Sequence, residues 1–361
     1  IKHDLMMKMY TTHHVFNCSM LIKSLSKKIG ILILFFVLAS SSASAQNVTI
    51  GASNYTTLKA AFDAINAGVH TGAIVATVNL STTETATAQL NSSGTGAANY
   101  TSVLVRPSAT VTISGNLATS IIKLAGADNV TIDGINGGSQ MTITNSSTSN
   151  AASVVWVASA SASNGATNNI IRNCVITGNG PTTTGFGISS SGSTANGAIA
   201  ETANSNNTYQ NNTINSCRAG IVLVGPNGNE NGNTISNNTI GSVNAGNKLG
   251  FTGIGIAQQQ NVFISQNTIF GVTSSAGSTT FQTSGILVIG TISGGLIERN
   301  IISDIKMIDF WGCSGILLQS SSTANNLTVA NNFVFDVTAG GFTDANSIDD
   351  GGYGISISTG D

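Results

Sequence analysis

Charge is scarce in this chain: Asp, Glu, Lys and Arg make up 8% of its 361 residues. Past Ala45 there are 8 basic and 14 acidic residues, a net charge of −6. So few cations form no basic patch, which excludes the electrostatic footprint of nucleic-acid binding. Histidine is scarcer still, with His70 the one example past Ala45. Cysteine is reduced there to Cys174, Cys217 and Cys313. An odd count without tight spacing is no disulfide framework. Cys217 falls in a column with Val243, Val272, Ile305 and Val337, so it reads as a buried core thiol. Low charge with abundant Asn, Thr, Ser and Gly would suit disorder. The regular Ile and Val spacing argues against it, because it supplies a repeated buried face.

The one long apolar run, Ile29 to Leu38, is too short to span a bilayer, which takes about 20 residues. Lys23, Lys27 and Lys28 precede it, and Ala43-Ser44-Ala45 follows. That order reads as a secretory signal over residues 20–45, cleaved near Ala45, leaving an exported chain with no membrane span. Residues 1–19 start at Ile1 and read as a non-native leader.

Six Asn-centred phrases recur downstream: IRNCVI, QNNTIN, SNNTIG, SQNTIF, ERNIIS and ANNFVF. Their aligned asparagines are Asn173, Asn212, Asn238, Asn267, Asn300 and Asn332. A second phrase interleaves with them, opening at Gly220, Gly253, Gly285 and Gly315, which are 33, 32 and 30 residues apart. Self-similarity at this period means a solenoid. Within one coil, Ile254 to Ile256, Asn261 to Ser265 and Thr268 to Phe270 read as three short strands. Ile254 and Ile256 then share an inward face with Ile286 and Val288, and with Ile316 and Leu318. The asparagines read as tight corners, since Asn tolerates the left-handed conformation, and stacking makes them a ladder about 4.8 Å apart. In Thr56 to Ala67, Leu58, Ala61, Phe62 and Ile65 recur at helical spacing, with Thr56 or Thr57 as cap and Gly68 as stop.

These Asn corners, the GIxI strands and the phrase NVTIDG at Asn129 to Gly134 resemble the right-handed parallel β-helix, or pectin-lyase-like, superfamily of bacterial secreted repeat proteins. The resemblance implies an all-β fold over residues 46–361, with three strands per coil and an N-terminal capping α-helix. The chain stops at Asp361 just after GISIS, another GIxI strand, so further sequence is expected beyond it. The superfamily includes lyases, hydrolases, adhesins and structural coils, so the fold leaves the activity open.

The NTD, GHG and RIK phrases that such hydrolases resemble one another in are absent. Outward positions of the GIxI strands are Val222, Val224, Leu287, Ile289 and Leu317, with Ser189 and Ser356 further out. They read as packing under a loop or as an apolar stripe for a partner or polymer. Thr213, Thr239 and Thr268 form an outward column that Ile301 and Phe333 interrupt.

One region carries chemistry. Asp304 and Asp336 lie four residues after Asn300 and Asn332, hence at equivalent places on adjacent coils. Like charges that close raise each other's pKa unless a cation or a lysine intervenes. With Asp344, Asp349 and Asp350 they offer oxygen ligands of the kind Ca²⁺ takes, though solvated acidic loops look the same. Trp311, Phe310 and Tyr353 are candidates for stacking on sugar rings, or for packing loops against the coil. Lys306 and Arg299 are the residues near enough in sequence to abstract a proton beside a uronate carboxylate. Two functions remain open at this point: a secreted or cell-surface structural, adhesive or glycan-binding module, and a lyase or hydrolase of an acidic polysaccharide.

Overall fold

The computed structural model describes residues 45–51, 54–227, 230–275, 282–309, 311–321, 326–340 and 351–359. The stretches read as leader and export signal, up to Ser44, lie outside them, and the chain from Ala45 onward forms a unit of its own.

That unit is a three-faced parallel β-solenoid. Face one holds the GIxI strands. Nine of them stack in parallel, from Ala88–Asn91 through Ala219–Val224 to Gly352–Thr359. At about 4.8 Å per strand the stack is roughly 40 Å long. Face two holds the strands before the Asn corner and face three those after it. Alternation decides the core. On face one Ile221, Ile254, Ile286 and Ile316 align in register, each fully buried. On face three Ile214, Ile240, Ile269 and Ile302 do the same. Each buried Ile contributes about 1.5–3 kcal/mol, so the columns supply the main driving force. The coil read as three strands is less broken than expected. Thr252–Ser265 runs unbroken across faces one and two. It turns the corner at Gln258 and Asn261, whose φ values are +60° and +46°.

The Asn corner is a ladder of five residues. Asn238 Nδ2 donates to Asn267 Oδ1 at 2.9 Å, and Asn267 Nδ2 to Asn300 Oδ1 at 2.9 Å. Asn212 and Asn332 extend the chain at either end. Each Oδ1 also accepts the backbone N–H of the coil before, as from Asn238 N to Asn267 Oδ1 at 3.0 Å. Asn173 does not belong. Cys174 takes that place, its N–H donating to Asn212 Oδ1 at 3.1 Å. Nor are the ladder residues the left-handed ones. Positive φ falls one position earlier, on Asn173, Asn211, Asn237, Gln266, Arg299 and Asn331. The corner is thus a division of labour: one residue bends and the next bonds.

Glycine recurs at the start of face one because nothing larger fits. A Cβ at Gly253 would come within 2.4 Å of Ile269 Cγ2 and 2.7 Å of the Gly285 carbonyl oxygen. Gly220, Gly285 and Gly315 face the same crowding.

Helix α1, Leu58–Asn66, buries Leu58, Ala61, Phe62 and Ile65 into the core. Thr57 Oγ1 accepts from Ala60 N at 3.1 Å. Two more of its first N–H groups, Leu58 N and Lys59 N, donate to the buried Glu84 carboxylate at 2.9 and 3.0 Å. Those are the donors a helix start leaves orphaned. Glu84 and Gln89 both touch α1 and both sit on the first strand of their stack, so the helix stands where a preceding coil would.

Cys174, Cys217 and Cys313 are free and buried. Cys217 is core, but Val243 is not in its column: Val243 is 79% exposed, and Leu249 pairs with Val272 instead. The short 3-10 turn Ala245–Asn247 carries the chain out and back between them.

A second amide ladder lines the corner between faces one and two. Asn169, Asn207 and Asn233 each accept a backbone N–H from the coil before. Beside it sits Glu230, fully buried. Its carboxylate accepts from Asn204 N at 3.1 Å, Asn233 Nδ2 at 2.9 Å and Gln259 Nε2 at 3.1 Å.

Candidate functional site

Asp304 and Asp336 occupy one corner of adjacent coils, both at φ +51°, where the coil before uses Gly271. They are not an open pair of like charges. Lys306 Nζ lies 2.7 Å from Asp304 Oδ1 and 3.6 Å from Asp336 Oδ2. Lys248, from two coils earlier, approaches Asp304 Oδ2 at 2.7 Å. Burial pushes Asp304 up, but the hydrogen bonds and charges of Lys248 and Lys306 outweigh it and hold its carboxyl below the usual range. Lys306 moves the other way: its hydrogen bond to Asp304, opposed by partial burial and helped by both carboxylates, holds it above the ordinary lysine value. A lysine therefore stands where a cation would have to enter. Among the described residues no three His, Cys, Asp or Glu gather as a metal cluster. Asp344, Asp349, Asp350 and Phe310 lie outside the described residues.

The other sequence candidates are scattered. Arg299 sits at the far end of the strand Ile301–Met307 from Lys306 and approaches Glu298 at 3.8 Å. Trp311 is half-buried against the core. Tyr353 is half-buried on the last strand, in register with Ser314. His70 bonds to the Tyr55 hydroxyl at 2.8 Å, near α1.

A groove runs over the outward side of face one. The register Val222, Gly255, Leu287 places a glycine between two branched residues on successive coils. A Cβ at Gly255 would meet nothing nearer than Val222 Cγ2 at 3.5 Å, an ordinary contact, so the glycine leaves a dip in the floor that a side chain could fill. Phe186, Phe251, Val222, Leu287 and Ile289 wall an apolar cavity of about 180 Å³. It adjoins a wider one of about 670 Å³ that shares Phe186, Ala219 and Phe251 and adds Asn150, Thr182, Arg218 and Thr273. No carboxylate pairs with Arg218 among the described residues. Aromatic and aliphatic surface thus meets amide, hydroxyl and guanidinium donors along one trough. The sequence reading located the stripe through Val222, Leu287 and Ile289. It missed Phe186, Phe251 and Arg218, which stand at strand starts where no alternation marks them, and it missed Lys248, which loops in from 56 residues before Asp304.

No protein-family model matches the chain, and no curated protein does. Solved structures similar to it include the Dettilon tailspike protein, at 13% identity and TM-score 0.45, over 87% of this chain and 59% of that one. A pectin methylesterase from Aspergillus niger is similar at 15% identity and TM-score 0.34, over 88% and 92% of the two chains. A PL6-family alginate lyase is similar at 12% identity and TM-score 0.25, over 88% of this chain and 54% of that one.

Proposed function

We propose that this chain is a secreted or cell-surface binding module whose face-one groove takes an extended saccharide. The observation that carries the reading is the trough itself, in which Phe186 and Phe251 border both an apolar floor and a polar annex with Arg218. A sugar ring has apolar faces and a hydroxyl edge, and such a trough meets both. Export rests on the basic, apolar and small-residue order of residues 20–45.

Catalysis of the lyase kind asks a base to give up its proton near neutral pH. Lys306 is held protonated by two carboxylates, and Asp304 is held ionised by two lysines. The cluster is therefore a cross-coil ion network that ties adjacent coils. Affinity electrophoresis through gels with neutral or acidic polysaccharide tests the reading, with product formation followed in the ultraviolet. Retardation without unsaturated products is expected. Products that accumulate with time would replace the binding module by a lyase, and free migration through every gel would end the saccharide reading.

A further inference from the structure

The outward column of face one continues past the groove. In register with Val222 stand Ser189, Trp156 and Lys123 on the three preceding coils. They do not open into the groove, because residues 192–201 lie across them. Trp156 is 4% exposed beneath this strap. Lys123 Nζ sits 3.7 Å from the centre of the Trp156 ring, and Trp156 Nε1 donates to Ser191 Oγ at 2.9 Å.

Hydrogen bonds anchor the strap. Lys123 Nζ donates to the Ser193 carbonyl at 3.1 Å. Gly197 N–H points at Ser189 Oγ and Ser191 Oγ, 3.2 Å from each. Asn196 Nδ2 donates to Thr119 O and Ala151 O at 3.2 and 3.0 Å. At the strap's root Glu201 accepts from Ser159 Oγ at 2.5 Å and from Ser193 Oγ at 2.8 Å. Apolar burial contributes little, since Ile199 is 59% exposed. The tip reaches the groove: a Cβ on Gly197 would come within 3.0 Å of the Phe186 ring.

Lys123 is costly as it stands. Burial lowers its pKa, opposed in part by the charge of Glu201, and no carboxylate pairs with it among the described residues. A carbonyl oxygen on a half-buried cation, over an indole ring and beside two serine hydroxyls, occupies the place an anionic, hydroxylated ring would fill. We propose that residues 192–201 are a lid, and that Trp156 and Lys123 beneath it form a subsite for a carboxylate-bearing sugar unit at the end of the groove. The proposal rests on the saccharide reading of that groove. Lifting the strap frees Lys123 from the Ser193 carbonyl. The sugar carboxylate takes that bond, its ring stacks on Trp156, and its hydroxyls meet Ser189 and Ser191.

The test uses a Trp311→Phe background, which leaves Trp156 as the one tryptophan. An unlatched form carries Asn196→Ala and Glu201→Ala. Asn196→Ala alone serves as a milder second variant if the double change impairs folding. Acrylamide quenching of Trp156 reads the lid without any ligand and is expected to rise several-fold on unlatching. Calorimetry with an oligogalacturonate and with a neutral galacto-oligosaccharide of equal length reads the subsite. Unlatching is expected to tighten the acidic probe about tenfold more than the neutral one, the worth of one charge-assisted bond, since stacking on Trp156 and the serine hydroxyls serve both. Adding Lys123→Met should erase that excess. Unchanged quenching in both variants overturns the lid. An equal gain for the neutral probe, or an acidic excess that survives Lys123→Met, overturns the subsite and leaves the groove standing. Binding of neither probe by any form overturns groove and subsite together.

Discussion

Glu230→Gln should remove a pH dependence from the stability of this solenoid. Glu230 is fully buried, with three N–H donors and no cation in contact among the described residues. Burial pushes its carboxyl up to about 8, and the bonds from Gln259, Asn204 and Asn233 pull it back only in part. Between the ordinary value of 4.5 and about 8, the folded chain binds more protons than the unfolded one. Stability from the neutral carboxyl is therefore complete below the ordinary value and is lost as pH rises through about 8. The span of about 3.5 units sets a ceiling of roughly 5 kcal/mol. Relaxation around the charge brings the expected loss to about 2–4 kcal/mol. Gln keeps the shape and cannot ionise. Guanidinium titrations followed by far-ultraviolet circular dichroism, from about pH 5 to about pH 9, give the slopes directly. Wild type should weaken across that range, and Glu230→Gln should approach it in acid and exceed it in base. Parallel slopes for the two proteins would refute the argument and mean that the three donors fully offset the burial of the charge.

The glycine column gives a paired test. Gly253→Ala should cost about 1–3 kcal/mol, because its Cβ meets Ile269 and a backbone oxygen, and equal denaturation midpoints would show that the coil can yield there. Asn267→Ala leaves Asn238 N–H without its acceptor and should cost about 1–3 kcal/mol, measured by the same titration. Lys248→Met should lower stability by about 1–2 kcal/mol at neutral pH. The folded pKa of Asp304 is depressed, so that contribution is lost as pH falls through it, and the variant should converge on wild type in acid.

The fold was legible because the repeat is written in side-chain size and alternation. The GIxI phrase fixes both the inward isoleucines and the glycine whose missing Cβ lets coils stack. The one-residue slip at IRNCVI has a physical origin. Two neighbouring positions at each corner accept Asn, one to bend and one to bond, and the IRNCVI coil keeps Asn only at the bend. The equivalence of Asp304 and Asp336 was also legible, as was Lys306 close by. Lys248 was not, because the turn that throws Val243 outward also sets the path that delivers Lys248. Loop-borne partners of this kind obey no period. The same holds for Phe251 in the groove and for the strap over Trp156.

The central claim is that the face-one groove binds saccharide, and Gly255→Leu tests it most directly. The substitution points outward, with the nearest atoms, Val222 Cγ2 and Thr252 Cγ2, in ordinary contact at 3.5 and 3.6 Å from the new Cβ, so it fills the floor between Val222 and Leu287 without crowding the core. Calorimetric titration of wild type and variant with the polysaccharide that most retards the wild type in gels is the measurement. The account predicts that binding falls at least about tenfold while the denaturation midpoint stays within about 0.5 kcal/mol of wild type. Undiminished binding by a folded Gly255→Leu protein would contradict it and place the ligand elsewhere on the solenoid.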